Sequence, residues 1–321
     1  MQSSLLKTLT PYDKVSPGDI MKKKIRGSIL LTLATVIWGS AFVSQDIAMS
    51  HMEPFTFQAV RCAMAVIALF PVTLIADLRK GGKNSFVRRW TDRKLWTAGI
   101  LCGIPLFLAC NLQQLGIADI GEAGKSGFLT AMYIVIVPII GIFLGKKPSM
   151  MIPISVTVAV AGLYFLSCMN TASIKAGDLL LLGCALMFAI QITFVDQLAQ
   201  NLDALRLNMI QALVCAVLSA IVMLCREQPS WSGILACIFP LIHVGIFSMG
   251  IGYYLQIIGQ QSLDSTPATL IMSLESVFAA IFGCIISKEL MGKWEVLGSG
   301  LIFTAVILSQ LPVKNKKEST K

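Results

Sequence analysis

The chain has 321 residues, of which 55% are hydrophobic and 13% charged, with a net charge of +9. That composition leaves no room for a sizeable soluble domain. Nine cysteines without a Cys-x-x-Cys pair, and only two histidines, give no sign of a metal or redox centre, so no metal and no cofactor are expected. The positive charge sits at the ends of apolar stretches and encodes orientation in a membrane, not affinity for nucleic acid.

A polar, basic segment occupies residues 1–24. Apolar stretches then follow near 25–48, 55–78, 95–117, 121–144, 149–169, 177–199, 207–225, 233–258, 266–287 and 294–311, before a basic tail over 312–321. At a rise of 1.5 Å per residue, about 20 helical residues cross the ~30 Å hydrocarbon core. The first stretch follows a basic segment, as a signal peptide would. It is too long for such an apolar region and lacks a small-x-small cleavage site, so it is expected to be retained. Lipid offers no partner to a bare peptide group, and runs such as Leu179–Ala189 lack the alternation of a barrel strand. The expected fold class is therefore an all-α integral membrane bundle of ten transmembrane helices.

Twenty of the 26 Lys and Arg fall on one side if both termini are cytoplasmic. Lys175, Arg226, Lys288 and Lys293 fall outside, and Arg61 and Lys125 lie within spans. This asymmetry fixes an even number of spans. The longest inner loop is expected from Arg79 to Lys94, where its basic residues suit anionic lipid headgroups.

The second half repeats the first. An offset of about 150 residues places Gly27, Trp38 and Arg61 on Gly177, Phe188 and Gln211. An offset of about 143 then aligns Leu112-Gln113-Gln114-Leu115-Gly116 with Leu255-Gln256-Ile257-Ile258-Gly259. Five spans per repeat is an odd number, so the units 25–169 and 177–311 are expected to enter the membrane from opposite sides. Inverted repeats give two near-equivalent packings, which secondary transporters use for alternating access.

Three segments carry a resemblance: Ile37-Trp38-Gly39-Ser40-Ala41-Phe42-Val43, Gly124-Lys125-Ser126-Gly127-Phe128-Leu129-Thr130-Ala131-Met132-Tyr133 through Val137-Pro138, and Ser273-Leu274-Glu275-Ser276-Val277-Phe278-Ala279-Ala280. Together, in this order, they make the chain resemble the EamA-type, ten-helix members of the drug/metabolite transporter superfamily along essentially its whole length. The resemblance implies two five-helix repeats around a cavity lined mainly by spans 1, 3, 4, 6, 8 and 9. It also implies that a small metabolite, commonly an amino acid, is moved, often outward. The acidic residue usual after the fourth span is Lys146 here, whereas Glu289 keeps the equivalent place after the ninth.

A charge inside a span costs about 2.5–3.5 kcal/mol on translocon scales and so faces a cavity or a partner. Glu275, about nine residues into its span, is expected to meet a substrate amine or to carry a coupling proton. Tying helices together is its structural alternative. Lys125 either meets a substrate carboxylate or snorkels outward. Arg61 is expected to serve structure or a gate, by bonding helix-end carbonyls or by pairing with Asp46 across the first outer loop. Trp38, Tyr133 and Phe188 are expected to form an apolar wall. Asn111, Gln114, Gln191, Tyr253 and Gln256 supply polar groups that either line the cavity or bond helices together.

Pro105, Pro138 and Pro240 are expected to interrupt their spans. His243 is expected to be a polar packing residue. Gly124-Lys125-Ser126 copies the end of a phosphate-binding loop, but Asp119 stands where its first glycine belongs, so no nucleotide site is expected. Gly99/Gly103 and Gly141/Gly145 have the spacing of close helix packing within a monomer, or at the interface of a weak dimer.

These observations predict a multi-pass secondary transporter of the plasma or inner membrane, most simply exporting an amino acid or related compound. Its partners are the lipid bilayer and a small-molecule substrate. A carrier of an anionic solute, such as a sugar phosphate or nucleotide sugar, and a drug-efflux protein are the alternatives within transport. A membrane-embedded enzyme is the distant one, with neither Gly-x-Ser-x-Gly nor His-Glu-x-x-His present.

Overall fold

The computed structural model describes residues 17–120, 123–146, 150–167, 175–287 and 292–310, which are helix and turn with no strand among them. Prolines open the first two helices, α1 (Pro17–Met49) and α2 (Pro54–Trp90), where their missing N–H costs nothing. Then come α3 (Arg93–Ile120), α4 (Ala123–Thr130), α5 (Tyr133–Phe143), α6 (Met151–Ser167), α7 (Ala176–Leu198) and α8 (Ala204–Arg226). The rest of the chain forms α9 (Trp231–Ala236), α10 (Ile238–Ile242), a π-helical segment (His243–Gly252), α11 (Tyr253–Gln260), α12 (Ser265–Met272), α13 (Leu274–Ser287) and α14 (Lys293–Gln310).

Among the described residues, eight stretches are long and apolar enough to cross a bilayer: Gly18–Met49, Pro54–Arg79, Arg93–Ile120, Ser126–Phe143, Ala176–Leu198, Ala204–Arg226, Ile238–Gln260 and Ser265–Ile286. They coincide with the first four and the sixth to ninth expected spans. The fifth and tenth correspond to α6 and α14, of 17 and 18 residues. These two pack together where Gly162 meets the Gly298 carbonyl and the side chains of Leu301 and Ile302.

Polarity is inverted relative to a water-soluble protein. Phe143, Leu224 and Phe239 are 86%, 73% and 81% exposed, whereas Gln58, Asn208, Gln211 and Gln260 are fully buried. Lipid accepts the first set at no cost, and the second can find partners only inside.

The repeat seen in the sequence has packing counterparts. A Cβ on Gly259 would lie 2.6 Å from Leu31 Cγ and 3.2 Å from the Gly27 carbonyl. One on Gly116 would lie 2.6 Å from Leu181 Cγ and 3.1 Å from the Gly177 carbonyl. Gly27 and Leu31 match Gly177 and Leu181 at the first offset, and Gly116 matches Gly259 at the second. Thus α1 packs on α11 as α7 packs on α3, each pair brought close by the absence of a side chain.

Gly99 and Gly103 serve the same purpose against Ile210 and Val214 of α8. Gly145 does something else. At φ +80° it ends α5, with Lys146 N–H donating to the Gly141 carbonyl and its own N–H to the Ile142 carbonyl, a left-handed helix stop.

Three expectations need correction. The segment from Arg79 to Lys94 is not a loop: α2 continues to Trp90 and α3 begins at Arg93. Basic residues are good helix formers, and nothing forces a helix to stop at the membrane surface. Arg89 reaches Asp77 at 2.9 Å across twelve residues, about 18 Å of straight helix, so α2 bends between them. The helices also run through Pro105 and Pro138. Membrane bundles tolerate such prolines because local adjustment satisfies the freed carbonyls. The fourth span breaks instead at Ala131-Met132, and the ninth at Ser273, next to the equivalent position.

In the eighth span Pro240 lies in α10, and the irregularity follows it as the π-helical segment. There Asn208 of α8 donates to the carbonyls of Met249 (3.2 Å) and Gly250 (2.7 Å). A side chain from a neighbouring helix thus supplies donors to backbone in an irregular stretch.

The matched contacts predict matched costs. Gly116→Ala and Gly259→Ala should each destabilise the purified protein by a similar amount, on the order of 1–3 kcal/mol. Gly300→Ala, whose Cβ would meet nothing within 4 Å, should be neutral. Thermal unfolding in detergent checks this, and equal effects at all three positions would refute it.

Candidate functional site

Midway along the bundle the helices leave a narrow cavity. Its wall takes residues from the first four spans and from the sixth, eighth and ninth. Trp38, Tyr133, Phe188, Gln191, Tyr253, Gln256 and Glu275, all expected at the site, line it together.

Two aromatic pairs shape it. Trp38 and Tyr253 have ring centroids 5.2 Å apart, and Tyr133 meets Phe188 edge-on at 6.4 Å. The first pair needs Gly252, where a Cβ would lie 2.6 Å from Trp38 Nε1. Trp38 and Phe188 are repeat mates, so each half contributes one aromatic residue at the same position.

Glu275 is buried, and its Oε1 accepts a hydrogen bond from Tyr133 Oη at 2.9 Å. It opens α13 directly after the break at Ser273, while Tyr133 opens α5 directly after the break at Ala131-Met132. The two broken spans therefore meet through these side chains.

A chain of amides leads away from the wall. Gln256 donates to Gln191 at 3.2 Å and Gln191 to Gln211 at 3.3 Å. Gln211 in turn donates to Asn208 at 2.9 Å, the residue that serves the π-helical carbonyls. Gln260 closes the other end by donating to the Ile192 carbonyl at 3.1 Å. The wall is thus held by side chains that are themselves bonded, which fixes their direction.

Not every candidate lies here. Asn111 donates to the Phe107 carbonyl at 2.7 Å and to Ser219 of α8 at 3.0 Å, and Gln114 is fully buried away from the cavity. Helical geometry turns this i, i+3 face toward the neighbouring helices. Gln113 between them lines the cavity instead. The repeat carried that signal, since Gln113 is the mate of Gln256. Gln45, at i, i+7 from Trp38, lines it too, and Ser248, Met249 and Met272 also line it and were missed. Span 8 winds as a π-helix there, and a period of 3.6 residues misjudges which side chains face inward.

Arg61 is a further correction. Asp46 is exposed, and Arg61 turns from it into the bundle, where it is 4% exposed, lines the cavity and donates to Gln45 at 2.9 Å. Lys125 belongs to α4, but its side chain lies outside the described residues, as do Lys147 and Glu289. His243 joins α10 and the π-helical segment to α1, with Ser40 at 3.1 Å and Ser44 at 2.8 Å on its two ring nitrogens.

At the end of the bundle where α5 and α7 finish, charges form pairs. Lys146 bridges Asp196 and reaches Ser265 at 3.4 Å. Buried Asp77 receives Arg206 and Arg89, and Arg206 also meets Asp203 at 2.6 Å. Among the described residues no group of His, Cys, Asp and Glu is arranged to hold a metal ion.

The distinction between wall and packing can be checked by thiol labelling. In a background lacking Cys168, Cys225 and Cys284, a cysteine at Gln113 should react with a small water-soluble reagent at least roughly tenfold faster than one at Gln114. Equal rates would reject this assignment of the wall.

The chain is 30% identical over 294 residues to an uncharacterized transporter of Archaeoglobus fulgidus, with 91% of this chain and 88% of the relative covered. A protein of known crystal structure superposes with a TM-score of 0.72 over 88% of this chain and 96% of its own, at 15% identity, which speaks to the fold alone. The EamA-like transporter family matches residues 25–168 and 175–311. Two family matches that bracket a bundle of apolar helices around a polar cavity place the chain: it is a multi-pass membrane transporter of the EamA-like transporter family.

Proposed function

We propose that this transporter moves an amino acid or related small metabolite outward across the plasma membrane by alternating access. In this reading ten spans form two inverted repeats, 25–169 and 177–311, with both termini cytoplasmic. The observation that carries it is the position of Glu275, a buried carboxylate on the cavity wall whose one hydrogen-bond partner among the described residues is the neutral Tyr133. A carboxylate withdrawn from water without a cation is expensive and is kept where a cationic group can reach it. The ammonium of a metabolite is such a group.

Alternating access also needs two sets of closures. The glycine contacts of Leu31 and Leu181 are equivalent in the two repeats, and they supply near-degenerate packings for exchange. The ion pairs at Lys146 and Asp77 lie at the basic end, which is the cytoplasmic one in this reading, and act as its latch. A sugar phosphate fits the cavity poorly, because Arg61 is the one cation among the described lining residues and phosphate calls for several.

Cells that express the wild type or Glu275→Gln at matched membrane levels test this by untargeted mass spectrometry of medium and cell contents. A solute should accumulate outside with the wild type and fall roughly tenfold or more with the variant, the scale of a lost charge-assisted contact. Identical media from wild-type, variant and empty cells would overturn the proposal.

A further inference from the structure

We infer that Arg61 is the anion-binding pole of the cavity, so that the solute is a zwitterion whose carboxylate docks on Arg61 and whose ammonium docks on Glu275. This rests on the transport reading above and narrows it. Three observations support it.

First, the guanidinium is 4% exposed, yet its one hydrogen-bond partner among the described residues is a neutral amide, Gln45. Its Nε is buried with no acceptor, as is that of Arg206, so the two differ in their carboxylate partners. A buried arginine that serves structure normally finds a carboxylate, as Arg206 does with Asp77 and Asp203 in this same chain. Arg61 has the face of Phe57 at 5.4 Å and no acid. Its planar fork, steadied by Gln45 and Phe57, is therefore left with donors for a carboxylate from outside the protein.

Second, the charges of the wall balance. Among the described residues that line the cavity, Arg61 and Glu275 are the charged ones, and they form no ion pair with each other. An anionic solute would satisfy Arg61 but be repelled by Glu275. A cationic solute would face the reverse problem. A zwitterion answers both, and placing two opposite charges against opposite poles is favoured in a site withdrawn from water.

Third, the wall holds unmet polar atoms of its own. Trp38 Nε1 and Gln256 Oε1 are buried without partners, as is Arg61 Nε, and all three residues line the cavity. Such atoms also occur in the packing away from it, at Gln58, Gln114 and Arg206 among others. On the wall a polar ligand can reach them, and leaving each unmet costs about 1–3 kcal/mol.

The poles are also staggered. Arg61 lies about 10 Å from the start of α2, and Glu275 about 18 Å from the end of α13, at 1.5 Å per residue. These two helix ends lie on one side of the membrane in the proposed topology, so the carboxylate points toward that side.

The test uses the full-length protein in liposomes and a panel of probes matched in shape: zwitterionic α- and ω-amino acids, their amides without the carboxylate, and their deaminated acids. Wild type should take up at least one zwitterion in preference to its amide and its acid. Arg61→Gln should lose roughly 10- to 100-fold for that zwitterion while its handling of the amide is unchanged or improved. Arg61→Lys, which keeps the charge and loses the fork, should fall between them and covers the case in which Arg61→Gln fails to fold. If wild type prefers a zwitterion and the Arg61 variants lower all three probe classes equally, or none, the inference is overturned while transport stands. A wild type that prefers amides or acids overturns it as well. A wild type that moves none of the panel removes both this inference and the amino-acid reading beneath it.

Discussion

Hydrocarbon cannot hydrogen-bond a peptide group, and this constraint governs where the molecule is allowed to be irregular. The lipid-facing surface carries residues such as Ile67 and Leu224, 71% and 73% exposed. The breaks at Ala131-Met132 and Ser273 lie inside the bundle, and the π-helical segment buries six of its ten residues while exposing Phe247 and Ile251. Where backbone departs from the α-helical ladder, protein supplies partners, as Asn208 does for Met249 and Gly250. The cavity lies where these breaks converge, since irregular backbone and polar side chains can be kept in the same interior.

The second organising element is close approach. The four glycines at 27, 116, 177 and 259 let pairs of helices touch through backbone, and this rigid contact sets the distances across the cavity. Trp38 stands over Gly252 for the same reason. Trp38 is thereby held on Gly252 while it lines the cavity. A preorganised wall loses little entropy when it meets a ligand.

Much of this could be read in the sequence, and the parts that could not have specific causes. The apolar stretches and basic flanks gave the helical membrane fold because length and charge placement are coarse signals that survive local irregularity. Seven of the expected site residues, from Trp38 to Glu275, line the cavity together. Asn111 and Gln114 fall on the packing side of the two alternatives left open, because helical spacing reveals a polar face without saying which neighbour that face meets. Gln113 could have been found from its repeat mate Gln256. Arg61 was assigned to Asp46 on closeness in sequence, while the folded chain offers Gln45, one residue earlier and one helical face away. The π-helical winding around Ser248 and Met249 leaves no clear mark in sequence.

The reciprocal glycine contacts also bear on how the chain is made. Gly116 lies in the first repeat, and the Leu181 that fills its groove lies in the second. Gly27 waits in the same way for Gly259. Glu227, far downstream, accepts the N–H groups of Phe55 and Thr56 at 2.9 and 2.6 Å at the start of α2. During synthesis the first half therefore enters the membrane with its tightest seams open to lipid and one helix start uncapped. It reaches its final packing only after the second half has followed, so the repeats act as each other's assembly template, and the nascent chain is most vulnerable to quality control midway through translation.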